Sequence, residues 1–286
     1  MATLAAPPAY DPHYIMYTNP ARALLIARCK DISPGLELLD LRSHLAKMRV
    51  VKQPEELVAL REAVDITVKT IKTIAQKRNK FNYEYEIEAE ITREFRRRGA
   101  AGHAYNPMVA TGVNACTLHY FSNNDKLPGK GLLFLDVGAE VKNYAADISR
   151  TYALGKATRR QQKIHAAVLE VQDFALARLT AGTIIGDYEK EVEQFMGEKL
   201  RALGLIKSIT RENVRRYYPH ATSHFLGLDA HDSGNYREPL KPNCVVTVEP
   251  GIYVPEEGIG IRIEDDVLIT EDGNEVMSSN LPRSID

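Results

Sequence analysis

"LLFLDVGAEVKNYAADIS", residues 132–149, reads as one strand and its return. Four apolar residues lead into Asp136, and a second carboxylate, Asp147, stands in the returning run. With a two-residue turn at Val141-Lys142, the ladder pairs residue 140 with 143 and sets Asp136 directly opposite Asp147. Opposed residues on one sheet face have Cβ atoms ~5 Å apart. Two carboxylates held that close repel unless a proton or a cation stands between them. The competing reading is a different register, with one of the two acids facing solvent.

The second half of the chain repeats the oddity. In "CVVTVEPGIY" (244–253) Glu249 ends a valine-rich strand, on the face of Val245 and Thr247. In "GIGIRIEDDVLIT" (258–270) alternation puts Arg262 and Glu264 on one face, Ile261 and Ile263 on the other. Taken alone, Arg262 and Glu264 read equally well as a structural ion pair. A buried, unpaired carboxylate costs too much to persist without a reason.

Histidines supply a further element. "HATSHFLGLDAHD" (220–232) brings His220, His224 and His231 together, with Asp229 between the last two. The zincin spelling H-E-x-x-H is absent, because Ala221-Thr222-Ser223 separates the first pair. The stretch reads as a metal site or as a histidine-rich surface loop. Charge weighs on the choice: Asp136, Asp147, Glu249 and Glu264 together carry four negative charges. One divalent ion leaves two of them uncompensated, and two ions neutralise the set. A pair of metals ~3.5–4 Å apart bridged by carboxylates is a recognised hydrolytic arrangement. Oxygen-rich ligation with one imidazole favours Mn²⁺ over a thiolate-type zinc site.

The remaining numbers narrow the class. The chain has 286 residues, enough for one large or two ordinary domains with a sizeable core. Its 37 basic and 38 acidic residues leave a formal charge of −1, which argues for neither nucleic acid nor an anionic membrane as partner. The basic run "REFRRRG" (93–99) reads as a solvated helix end before Gly99. Cys29, Cys116 and Cys244 form no C-x-x-C pair, which suits a reducing compartment. No apolar run approaches the ~18–20 residues of a membrane span, and the N-terminus lacks a secretory signal pattern. The expected location is cytoplasmic.

Along the chain, residues 1–45 stand apart: a Pro/Ala-rich start, the apolar run "ALLIA" (23–27), then "DISPGLELLDLRSHL". A lone strand and a short helix make no core, so this stretch reads as the remnant of a larger domain or as an arm. From Pro54, Leu57, Leu60, Val64, Val68, Ile71 and Ala75 recur at helical steps. A second helix ends at Gly99, and two more are expected near 158–179 and 186–203. Strand-like runs follow each helix pair. Helix–helix–strands, twice over, predicts an α+β fold of two similar halves packed together.

At this point the residues resemble a family. Asp136, Asp147, His224, Glu249 and Glu264, in that order, resemble the pita-bread metallopeptidases. The surrounding words "MRVVKQPEELVALREA", "TGVNACTLHY", "DVGAEVKNYAADISRTY" and "TVEPGIYVPEEGIGIRIEDDVLIT" are similar to its Xaa-Pro branch, aminopeptidase P and prolidase. The resemblance covers about 45–286. It implies the pita-bread (creatinase/aminopeptidase-like) fold, with a curved antiparallel sheet covered by helices. It divides the chain into an N-terminal remnant (1–45) and a catalytic domain (46–286).

The resemblance also implies roles. Asp136 would bind one metal, Asp147 and Glu264 would bridge both, and His224 and Glu249 would complete the other shell. The ions would be Mn²⁺, with Co²⁺, Zn²⁺ or Fe²⁺ as alternatives. A hydroxide bridging them would attack the carbonyl before proline. His231 would steady the oxyanion, Glu249 would carry the proton to the leaving nitrogen, and His119 would orient the substrate. Arg262 would hold its neighbouring carboxylate, and His220 has a structural reading beside the catalytic one. Substrates would be proline-containing peptides, and the enzyme a homodimer.

Three departures stand out. The N-terminal domain is at most a remnant, no tryptophan exists, and Ala221 stands where the family's loop usually has glycine. The segment "HDSGNYREPLKP" (231–242) is also short. Arg237 is its one arginine, where longer prolidases hold a dipeptide carboxylate. The expected activity is therefore Xaa-Pro aminopeptidase. The alternatives are Xaa-Pro dipeptidase, methionine aminopeptidase, or a non-catalytic binding protein on the same fold.

Overall fold

A computed structural model describes residues 3–5, 20–39 and 41–286. The Pro/Ala-rich start and His13 lie mostly or wholly outside the described residues. Strand β1 (Thr3–Ala5) pairs in parallel with β2 (Glu37–Leu39), and helix α1 (Pro20–Ile32) lies between them in sequence. The run "ALLIA", expected as a lone strand, is therefore inside α1. Alanine and leucine are strong helix formers, and Pro20 suits a first turn. Leu24, Leu25 and Ile32 stay exposed, so this segment adds little to a core.

Helix α2 (Arg42–Val50) leads into the regular part of the chain. Helix α3 (Pro54–Lys77) opens with a capping box, in which Gln53 and Glu56 satisfy each other's backbone N–H groups. Helix α4 (Glu84–Arg97) ends as the basic run predicts, with Gly99 at φ +97°. Arg93, Arg97 and Arg98 converge on Glu94 there, so those cations are used locally.

The strands of the first half are β3 (Gly102–His103), β4 (Met108–Thr111), β5 (Gly131–Val137), β6 (Ala139–Val141), β7 (Tyr144–Ala145) and β8 (Ile148–Leu154). β5 runs antiparallel between β4 and β8. The turn differs from expectation. Val141 pairs with Tyr144, so the two turn residues are Lys142 and Asn143, with φ of 52° and 67°. Positive φ at both positions is the type I′ geometry that matches strand twist, and asparagine tolerates it. Asp136 consequently lies opposite Ser149 instead of Asp147. The shift is two residues, which preserves the face, so both acids remain buried.

The second half follows the same order. Helices α5 (Arg159–Leu176) and α6 (Ile185–Ala202) match expectation, while the short α7 (Arg211–Tyr217) was not anticipated. Then come β9 (Val245–Val248), β10 (Gly251–Val254), β11 (Ile259–Arg262), β12 (Asp265–Ile269) and β13 (Asn274–Val276). β12 sits between β9 and β13, and β10 pairs with β11, all antiparallel. Each half has its own core. Ile71, Ile91 and Phe95 pack on Leu133 and Leu135 in the first, and Val168, Val192 and Met196 pack near Val246 and Ile263 in the second.

Arg150, 1% exposed, locks the seam between the halves: it pairs with Asp265 at 2.6 Å and donates to the Glu264 carbonyl at 2.6 Å. Glu264 N also donates to Ser149 O at 3.1 Å. This junction sets the end of β5 beside the end of β11.

Candidate active site

A cavity of about 720 Å³ opens at the seam, lined from both halves. Asp136 comes from β5, Asp147 from the bend before β8, and Glu264 from the break between β11 and β12; all three are buried. One oxygen from each lies within 4.8 Å of the others. Two more trios share these members: His224 with Glu249 and Glu264, and Asp147 with His224 and His231. The acids expected to converge do so, with His224 among them.

Electrostatics explain why such a set needs cations. Burial, then neighbouring carboxylates, push Asp147, Glu249 and Glu264 well above the usual carboxylate range. The donor chemistry fits a divalent ion. His224 Nδ1 lies 3.1 Å from the Phe225 carbonyl, which assigns the ring proton to Nδ1. Nε2 then presents a lone pair 3.3 Å from Glu249 and 3.6 Å from Asp147. Lone pair against carboxylate repels, and a cation between them removes the conflict. Burial also drops the His224 pKa to about 3, so the ring stays neutral and available as a ligand.

Arg262 has a different principal partner from the one expected. Its Nη2 contacts Asp136, while Nε stands 3.6 Å from Glu264 and donates to Ser149 Oγ at 2.9 Å. Nη1 donates to Tyr253 Oη at 3.0 Å. Alternation along β11 finds the shared face of 262 and 264, but the nearest carboxylate comes from the other half of the chain.

The other histidines are accounted for. His220 reaches Tyr253 Oη and the Ala221 carbonyl, each at 2.8 Å, and burial lowers its pKa to about 3. His231 stands with its ring 4.2 Å from that of His224. His119, at φ 57°, stacks on Phe121 along the cavity wall. Ala221 lines the cavity too, and its backbone is not among those with positive φ, so its methyl group brings no backbone strain.

Several residues escaped the sequence reading. Tyr105 Oη lies 2.7 Å from Asp136 and 2.6 Å from Asp147. Ser149 Oγ donates to Glu264 at 2.5 Å, and Asp266 accepts from Asp147 N at 3.1 Å. Glu189, on α6, accepts from the backbone N–H groups of Thr222 and Ser223 at 2.9 Å, between His220 and His224. Burial raises its pKa to about 7. Nothing local distinguishes Glu189 from the other acids of "DYEKEVEQ", whereas Ser149 follows from the corrected register.

The chain belongs to metallopeptidase family M24, which it matches over residues 58–271. Membership implies divalent metal ions, consistent with the three trios. The chain is 40% identical over 270 residues to the Xaa-Pro aminopeptidase of Escherichia coli (strain K12), covering 88% of this chain and 61% of that protein. Proline aminopeptidase P II from Yersinia pestis superimposes with a TM-score of 0.83 at 34% identity, covering 95% of this chain and 68% of that one. Aminopeptidase P from E. coli with the inhibitor Pro-Leu gives 0.82 at 34% identity, covering 93% and 66%. The fold is therefore the pita-bread α+β fold. The chain spans between about half and three-fifths of the length of the curated relatives it matches.

Proposed function

We propose that the protein is a dinuclear metal-dependent Xaa-Pro aminopeptidase, with residues 46–286 as its catalytic domain and 1–45 as an arm or segment resembling the end of an N-terminal domain. The observation that carries this reading is the sharing of Asp147, His224 and Glu264 among overlapping ligand trios. One ion needs a single trio; shared members suit two. The similar proteins bearing the name Xaa-Pro aminopeptidase support the substrate class.

Asp136, Asp147, His224, Glu249 and Glu264 would hold the ions, which we take to be Mn²⁺. Bound divalent ions supply Lewis acidity and a water that ionises near neutral pH. The chain's own groups do the rest. Glu249, at the cavity wall, takes the proton from the attacking water and delivers it to the proline nitrogen as the C–N bond breaks. His231 and His119 donate to the substrate carbonyl and fix its direction. Arg262 and Tyr105 keep the carboxylates aimed inward. Leu118, Phe121 and Ile185 are apolar residues of the cavity lining, which suits it to a pyrrolidine ring.

A dipeptidase reading has one specific support: the exposed Arg237 lines the same cavity and offers a cation for a short substrate's carboxylate. Turnover of Xaa-Pro-Xaa against Xaa-Pro and Met-Xaa peptides, with Mn²⁺ added, separates these readings. The tripeptide is expected to be cleaved fastest. Preference for Xaa-Pro, lost in Arg237→Gln, would make the protein a dipeptidase. Metal binding without turnover of any of them rejects the catalytic reading. All three cysteines are free, which supports a cytoplasmic location. A homodimer is proposed as well, to be checked by light scattering.

A further inference from the structure

The segment "MRVVKQPEE" (48–56) contributes no residue to the cavity lining. Its Lys52 is only 1% exposed and ranks among the largest fully buried side chains. Lysine is almost never so buried without a partner. Nζ donates to the Arg49 carbonyl at 2.5 Å and lies 3.5 Å from Asp232 Oδ2, an oxygen with no hydrogen bond of its own. Arg49 Nη2 completes the group, 2.6 Å from Asp232 Oδ1 and 2.5 Å from Asp229 Oδ2. Lys52 and Arg49 thus both face Asp232, which is the residue directly after His231.

The surroundings tie both ends down. On one side, Lys52 N donates to Asn243 O at 2.9 Å, and Val51 bridges to Cys244 beside β9. On the other, Asp232 N donates to Phe225 O at 2.8 Å and Asp232 Oδ1 accepts from Ser233 N at 2.7 Å. Gly227 closes over the pair: a Cβ there would meet Asp232 Oδ2 at 2.2 Å and Lys52 Nζ at 3.0 Å. The His231 loop is therefore fastened to the entry segment of the catalytic fold, with its imidazole left facing the cavity.

From this geometry we infer that Lys52 and Arg49 are positioning residues for the reaction, acting through Asp232 to set His231 against His224 and the metal-binding acids. The inference rests on the peptidase reading for its activity arm. A small displacement of an orienting group costs up to ~100-fold in rate, so the effect is measurable.

The test is a double-mutant cycle on the Mn²⁺-supplemented full chain: Lys52→Met and Arg49→Gln, each in the wild-type and His231→Ala backgrounds. Lys52→Met is expected to lower kcat/KM ~10–100-fold and Arg49→Gln ~3–10-fold, each falling below ~2-fold once His231 is gone. Equal losses in both backgrounds, or no loss, overturn the inference. Amide hydrogen exchange gives a readout independent of activity. In folded variants residues 226–233 should exchange faster while β5 is unchanged, and unaltered exchange in 226–233 also overturns it. If Lys52→Met does not fold, Arg49→Gln decides, since that side chain is 26% exposed. A wild-type protein without turnover would refute the peptidase reading and leave the exchange arm to decide this one.

Discussion

Asp136 and Asp147 share one donor, the Tyr105 hydroxyl, at 2.7 and 2.6 Å, although in the β-ladder Asp136 faces Ser149. A single phenol thus contacts one acid on β5 and another in the bend before β8. Removing the hydroxyl in Tyr105→Phe is expected to weaken metal binding ~10–100-fold with little change in folding. Calorimetric titration with Mn²⁺ checks this, and an unchanged affinity would reduce Tyr105 to a space-filler.

Glu189 holds the loop between His220 and His224 by its backbone N–H groups. Glu189→Gln keeps the size but turns one acceptor into a donor facing donors. The expected loss is ~1–3 kcal/mol of stability, read as a lower urea midpoint, accompanied by weaker metal binding. A neutral result would mean that the loop is held by its packing alone.

Metal removal should destabilise the protein, because buried acids then repel without compensation. Chelation should lower the melting temperature, and added Mn²⁺ should restore it. Asp147→Ala is expected to abolish turnover, yet leave the chelated protein at least as stable as chelated wild type, since one repelling charge is gone. Differential scanning calorimetry with and without chelator compares the two.

Gly138 lies where β5 turns into β6, and a Cβ there would sit 1.8 Å from the Ala146 carbonyl oxygen. Backbone cannot yield as a flexible side chain does. Gly138→Ala should lose ~2 kcal/mol or more, together with metal binding, because Asp136 and Asp147 flank the contact. Gly273→Ala, which meets nothing within 4 Å, is the matched control.

His165 on α5 is buried, and burial lowers its pKa below the ordinary 6.5. The unfolded chain therefore takes up this proton first as pH falls. Its contribution is full above about pH 6.5 and declines on acidification towards the folded pKa. His165→Gln should show a smaller drop in urea midpoint between about pH 7.5 and pH 5 than wild type. An identical drop would remove His165 from the acid response.

Much of this protein is legible in one dimension. The helical spacing of Leu57 to Ala75 identifies α3. Acids inside apolar strand runs announce a site, and the charge of four carboxylates argues for two divalent ions. Alternation alone places Arg262 and Glu264 on one face. These features depend on residue order and local period, which the chain carries regardless of how it packs.

Other features depend on which surfaces meet. Turn chemistry at Lys142-Asn143 moved the ladder by two residues, and the folded hairpin decided that register. Arg262 finds Asp136 across the seam, Tyr105 reaches two acids eleven residues apart, and Glu189 grips a loop that lies more than thirty residues along the chain. Lys52 looks like any surface lysine until Asp232 closes over it. Sequence specified the helices, the strands and the acids themselves. Tertiary structure chose their partners, because attraction between charges depends on distance through space, and only the packing of the two halves sets that distance.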